Sequence, residues 1–276
     1  MTTATPATKP ALPSTLKLGL LRGGAELRQF FRNKEQVVFT FALPTILMIL
    51  LGSMIGGDSS VPGLSAGQII AAGMVGAGII STSFNSMGIG LTANREDGTL
   101  KRLHGTPMPS TSFFLGKIIL VAVTSVGEIV LMLVVAALLF DLKLPTDPMK
   151  WLTLLWVFAL GVVACALLGI VVSSLVKSTN GAVALINLVY ICLQFISGVF
   201  VTPISHLPKV MVDIASFFPV KWICQGFRSV FLPEQAAASE MAGTWELGTI
   251  ALVLLAWCVA GLMLSKLTFR WTTTEK

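Results

Sequence analysis

Residues 118–140, IILVAVTSVGEIVLMLVVAALLF, decide the fold class. An α-helix rises about 1.5 Å per residue, so about 20 apolar residues cross the roughly 30 Å hydrocarbon core of a bilayer. This run is long enough, and its only charge is Glu128 near the midpoint. Working outward from it, residues 36–57, 151–176, 178–208 and 247–265 are further long stretches free of charge. A sixth run, 69–91, lies inside the uncharged segment 59–94. The sequence therefore predicts an all-α integral membrane protein with six transmembrane helices.

Composition agrees. Hydrophobic residues make up 54% of the 276 positions and charged residues 12%, whereas soluble domains carry about a quarter charged. Cys165, Cys192 and Cys258 fall inside apolar runs, Cys224 lies in a shorter segment, and His104 and His206 stand far apart. No pair has metal-ligand spacing, so no metal site is expected. Residues 1–14, rich in Thr, Pro and Ala, read as a disordered tail rather than a removed signal peptide.

The net charge of +6 is unevenly placed. With six spans both termini share a side, and that side carries Lys17, Arg22, Arg28, Arg32, Lys34, Arg95, Lys101, Arg102, Lys117, Lys177 and Lys266 among others. The opposite side holds Lys143, Lys150, Lys209, Lys221 and Arg228. An excess of Lys and Arg marks the cytoplasmic side, so both termini are expected in the cytoplasm. The basic excess reports topology, and no nucleic-acid partner is expected.

Residues 15–34 mix Leu and Phe with Lys and Arg at helical spacing, which predicts an amphipathic interfacial helix with its basic face toward anionic lipid, weakened locally at Gly23-Gly24. A six-span domain, 35–268, follows. In span one Pro44 predicts a kink, and Gly52 and Gly56 form a small-residue pair suited to close helix packing. Span two is rich in Gly, Ala and Ser, a composition for tight packing or for lining a polar cavity. A cytoplasmic loop, 92–117, leads to span three. Prolines at 203, 208, 219 and 233 break the region before the last span into pieces too short to cross, which predicts a re-entrant outer hairpin over 203–233. Residues 269–276 form a cytoplasmic tail. Trp151, Trp245 and Trp257 read as interfacial or lipid-facing.

No GxxxxGK[ST] phosphate loop is present, so this chain does not bind and hydrolyse ATP by itself in the usual way. Neither GxSxG nor HExxH occurs, and no catalytic residue is assigned. The informative loop is residues 95–110, REDGTLKRLHGTPMPS. Acidic residues precede basic ones, as the dipole of a short helix favours. Leu100 and Leu103 share a face, and Gly105 with Thr106-Pro107 ends the helix, a shape suited to docking.

That segment resembles the cytoplasmic coupling region of type-2 ABC exporter permeases, especially the branch of the daunorubicin/doxorubicin-resistance permeases. The matching positions are Glu96, Gly98, Thr99, Leu100, Leu103, Thr106 and Pro107, and the resemblance extends over the interfacial helix, the six spans and the outer hairpin ending in Phe231-Leu232-Pro233. The resemblance implies a drug-efflux or antibiotic-resistance permease of the bacterial cytoplasmic membrane. It would pair with a second, identical permease and dock two copies of a separately encoded ATPase, which carries the ATP and Mg. Docking would fall on Arg95, Glu96, Asp97, Leu100, Lys101, Arg102 and Leu103.

Glu128 has two readings. It contacts a cationic amphiphile or acts in a gate, or it is a protonated carboxyl hydrogen-bonded to a neighbouring span. A charge at mid-bilayer costs about 2.5–3.5 kcal/mol on insertion scales. Asn187, Tyr190 and Gln194 recur on one helical face, which turns polar groups away from lipid. With Phe84, Asn85 and Phe195 they are candidate path residues beside the expected translocation route. An amphipathic small molecule is the expected cargo. A polysaccharide or lipid-linked glycan, or a stand-alone secondary transporter or channel, are the alternatives.

Overall fold

The computed structural model describes residues 14–55, 57, 61, 63–106, 108–200, 204 and 207–269, and within these no strand occurs. The expected tail over 1–14 and the tail over 269–276 fall almost wholly outside the described residues, as does Gly56.

Eleven α-helices follow one another among the described residues. Helix α1 (Thr15–Arg32) precedes span one, α2 (Lys34–Met54), and Pro44 is accommodated inside α2 without ending it. Span two is α3 (Ala66–Ile80), one π-helical turn (Ser81–Asn85) and α4 (Ser86–Glu96). A short helix α5 (Thr99–His104) leads to span three, α6 (Ser110–Phe140). Spans four and five are α7 (Pro148–Leu175) and α8 (Thr179–Ile196). The pair α9 (Lys209–Phe217) and α10 (Pro219–Phe231) is bent by 94°, and α11 (Leu247–Thr268) is span six. Among the described residues six helices are thus long and apolar enough to cross a membrane, and the chain is a multi-pass membrane protein.

Helix ends differ from the sequence expectation where local hydrogen bonding overrides hydropathy. Span two starts at Ala66, because Ser65 and Gln68 form a reciprocal capping box. The expected loop 92–117 is shorter: α4 runs helically to Glu96 and α6 begins at Ser110. Polar residues leave the apolar region still inside a helix, since the i→i−4 bonds need no apolar side chain. Ser110 is the first helical residue of α6, and Pro109 stands at the cap position.

Span two is the centre of the bundle. Its most apolar window is 89% buried, against 44% or less for the other spans. Helices α6, α7 and α10 pack around it. Helix α10 is buried along its whole length, wedged between α3, α7 and α11. Gly52 permits a close approach within the chain: a side chain there would meet the Phe140 ring, and one on Gly67 would come 2.9 Å from the Gly52 carbonyl.

Helix α1 packs along the first half of α6. Gly23 does more than weaken it, since Gly19, Gly23 and Gly116 leave no room for side chains between the two helices. Glu26 is the ionic pin. It pairs with Arg22 one turn back and accepts from Lys117 Nζ at 2.9 Å, with both Glu26 and Lys117 buried. Lys117, expected in a solvated loop, lies instead inside α6.

Trp245 also departs from expectation: it is buried, while Trp151 is partly exposed and Trp257 donates to the Phe217 carbonyl at 2.6 Å and stacks on Phe218.

Candidate functional site

Two groups of candidate side chains emerge, one midway along span two and one at the bundle end that carries α1 and α5. The first is built on the π-turn. A π-turn inserts an extra residue into the helical ladder and often marks a functional position. Here it clusters Ser81, Thr82, Ser83 and Asn85 in an otherwise apolar span. The Thr82 hydroxyl lies 2.6 Å from that of Ser125 on α6. Glu128, one turn further along α6, is completely buried. Its carboxyl stands beside Thr82 and against Gly78, where a Cβ would come within 3.0 Å of Oε1 and of the Met132 sulfur. Among the described residues no ion pair involves Glu128.

From the other side, α8 brings Tyr190 and Gln194, both buried. The Tyr190 hydroxyl stands beside Ser81 and Gln194 and within electrostatic reach of Glu128. Spans two, three and five therefore meet at one polar centre. Asn187 and Asn85 are half-buried at its edge, and Asn85 Oδ1 has no hydrogen-bond partner. Phe84 is buried in the apolar core. Phe195 is 55% exposed and faces off the bundle, its ring 4.9 Å from Phe200. One residue on from Gln194, a helix has turned by about 100°.

The second group surrounds α5. Gly98 adopts a left-handed conformation (φ 73°), which lets the chain reverse direction between α4 and α5. The Asp97 carboxylate then accepts from the Thr99 N–H at 2.8 Å and starts α5. Leu100 is fully buried and Leu103 packs against the same core, so these two hold α5 down rather than present it. Arg95 is buried and donates to the Ser173 carbonyl of α7 at 3.0 Å. Glu96 accepts from the Thr179 N–H, the first residue of α8, at 2.6 Å. Asp97, Lys101 and Arg102 are exposed. The predicted docking set thus divides into inward residues that tie α5 to the spans and outward charges that face away.

Sequence reasoning missed one buried polar group outright. Arg228 of α10 donates from Nε to Glu240 at 2.7 Å, and from a terminal nitrogen to the Gly198 carbonyl. Nearby, Gln225 donates to the Trp245 carbonyl at 3.2 Å. Sequence reasoning also passed over Glu26 of α1, for which the i, i+4 spacing from Arg22 was an available signal.

Comparison with known proteins gives two findings. A family model described as ABC-2 type transporter matches residues 23–232. A Bacillus subtilis (strain 168) protein that carries the name transport permease YvfS is 22% identical over 197 residues, covering 71% of this chain and 78% of that protein.

Proposed function

Because the chain belongs to the ABC-2 type transporter family, and is therefore a membrane subunit of an ABC transporter, we propose that it is the permease half of an ATP-driven exporter of amphipathic small molecules. Two identical permeases would enclose a central path, and each would receive a separately encoded ATPase subunit that binds ATP and Mg. The side bearing α1 and α5 would be cytoplasmic, which the Lys and Arg distribution supports. The resemblance of residues 95–110 to daunorubicin/doxorubicin-resistance permeases supports an amphipathic drug or antibiotic as cargo.

One observation carries the coupling mechanism. The exposed charges of α5 follow closely on the last two residues of α4, of which Arg95 reaches the end of α7 and Glu96 the start of α8. Displacement of α5 by a closing ATPase would pull on the α7–α8 turn. It would thereby shift α8 against span two, where Tyr190 and Gln194 meet the π-turn. An apolar cargo with a cationic group would find Glu128 and the surrounding hydroxyls there once the spans part.

The test is reconstitution with the partner ATPase in proteoliposomes. The expected result is a complex of two permeases and two ATPases, with ATP-dependent movement of a cationic amphiphilic dye. Full transport by the purified chain alone would refute the reading. ATP-dependent movement of a lipid-linked glycan, with no dye movement, would replace the cargo assignment and keep the machinery.

A further inference from the structure

Three carboxylates are buried among the described residues, and their settings differ. Glu26 faces Arg22 and Lys117, and Glu240 faces Arg228. Glu128 faces no cation among the described residues, and neither of its oxygens has a well-formed hydrogen bond. The elements packed around it supply no counter-charge. Span two offers Gly78 and Thr82, and α8 offers Tyr190, which is uncharged near pH 7. Residues 36–54 carry no ionisable side chain, residues 151–175 carry Cys165 alone, and residues 118–140 carry Glu128 alone. Cys192 of α8 is exposed. Lys117 stands about 16 Å further along α6 and is held by Glu26. Arg228 meets span two at Gly73, about 7.5 Å along the axis from Gly78 and turned from it by about 140°, and is held by Glu240.

A carboxylate ion enclosed in this way would carry an uncompensated charge, which a low-dielectric interior penalises far more than a neutral carboxyl group. In the closed arrangement Glu128 therefore holds its proton. We propose that the polar centre of spans two, three and five is an exchange site, where a cationic cargo enters as Glu128 gives up its proton and the proton returns as the cargo leaves. The exchange rests on the cationic amphiphile proposed above as cargo. On entry the carboxyl O–H bond breaks, its electron pair stays on the oxygen, and the proton passes to water admitted as the spans part. The cation then supplies the counter-charge that the protein lacks. The hydroxyls of Thr82, Ser125 and Tyr190 can donate as well as accept, so they can turn toward the new carboxylate. The centre is neutral both empty and loaded, and the spans can close over either state. An inorganic cation held permanently by Glu128 would also balance the charge. It would need room for a ligand shell, and Gly78 stands so close that a Cβ there would come 3.0 Å from Oε1. A proton needs no such room.

Calorimetric titration of the nucleotide-free permease–ATPase complex with tetraphenylphosphonium, whose charge does not vary with pH, tests the exchange. Titrations in two buffers of different ionisation enthalpy give the number of protons released. About one proton per bound cation is expected, and the apparent affinity should rise by up to tenfold per pH unit. Neutral triphenylphosphine oxide should release none. Glu128→Gln should release none on binding the cation, and its affinity should no longer change with pH. Cation binding without proton release would overturn the exchange and leave the cargo reading standing, as would binding that requires sodium in place of proton release. Release that persists in Glu128→Gln would also overturn it, by assigning the proton to another group. Absence of any cation binding would overturn the exchange and the cargo reading together.

Discussion

The carboxylate of Glu96, the last residue of α4, accepts a 2.6 Å hydrogen bond from the backbone N–H of Thr179, the first residue of α8, across 83 positions of sequence. The N-terminal N–H groups of a helix lack intrahelical acceptors, and negative charge is favoured there. One side chain therefore links the exit of span two to the entry of span five. Because the carboxylate is exposed, its role is geometric more than energetic, and its loss should leave the fold intact. In the reconstituted transporter, Glu96→Ala is expected to keep ATP hydrolysis and to lower transport per ATP, whereas Glu96→Gln, which still offers an acceptor, should recover most of the coupling. Parallel loss of both activities in Glu96→Ala would make the residue a docking contact instead.

Reversal of the outward charges separates docking from transmission. The double variant Lys101→Glu/Arg102→Glu should weaken ATPase-subunit binding about tenfold at low salt, since exposed ion pairs are worth about 0.2–1 kcal/mol each and reversal replaces attraction with repulsion. The effect should shrink at high salt. Affinity measured by titrating the ATPase against the purified permease checks it, and unchanged affinity would place the docking surface elsewhere.

Much of the fold is legible in sequence because a run of about 20 uncharged apolar residues has few other uses. Sidedness within each span is not legible, because lipid and protein interior reward the same side chains. Phe84 and Phe195 look alike in sequence, yet one lies in the core and the other faces outward. Polar residues break that degeneracy, which is why Tyr190 and Gln194 could be placed on an inward face. Charges mislead in the opposite way. Lys117 reads as a loop residue and Arg228 as one charge of the outer hairpin, because nothing in the sequence pairs them with Glu26 and Glu240, and only tertiary packing brings each pair together.

Glu128→Gln keeps the shape of the side chain and removes the carboxylate. Transport of a cationic amphiphile should fall about tenfold, the order of a lost charge-assisted contact. Transport of a neutral amphiphile should change little. Initial rates of dye movement in proteoliposomes compare the two, and equal rates for the cation before and after substitution would make the carboxyl purely structural.

Arg228→Ala strands Glu240 in the protein interior. Removing one member of a buried ion pair costs about 3–5 kcal/mol, whereas replacing both with apolar groups is often neutral. The single variant should show a clear fall in thermal unfolding temperature in detergent, and Arg228→Met/Glu240→Leu should restore most of it. A single variant as stable as the parent would show that the pair contributes little.

The complete burial of α10 constrains the order in which the molecule can be assembled. With Lys221, Gln225 and Arg228 on a helix of 13 residues, it is too short and too polar to be released into lipid as a free-standing segment. Its polar groups find partners on segments made both before and after it, Gly198 on one side and Glu240 and Trp245 on the other. The polar contacts of α10 can therefore be complete only once the chain as far as Trp245 is in place.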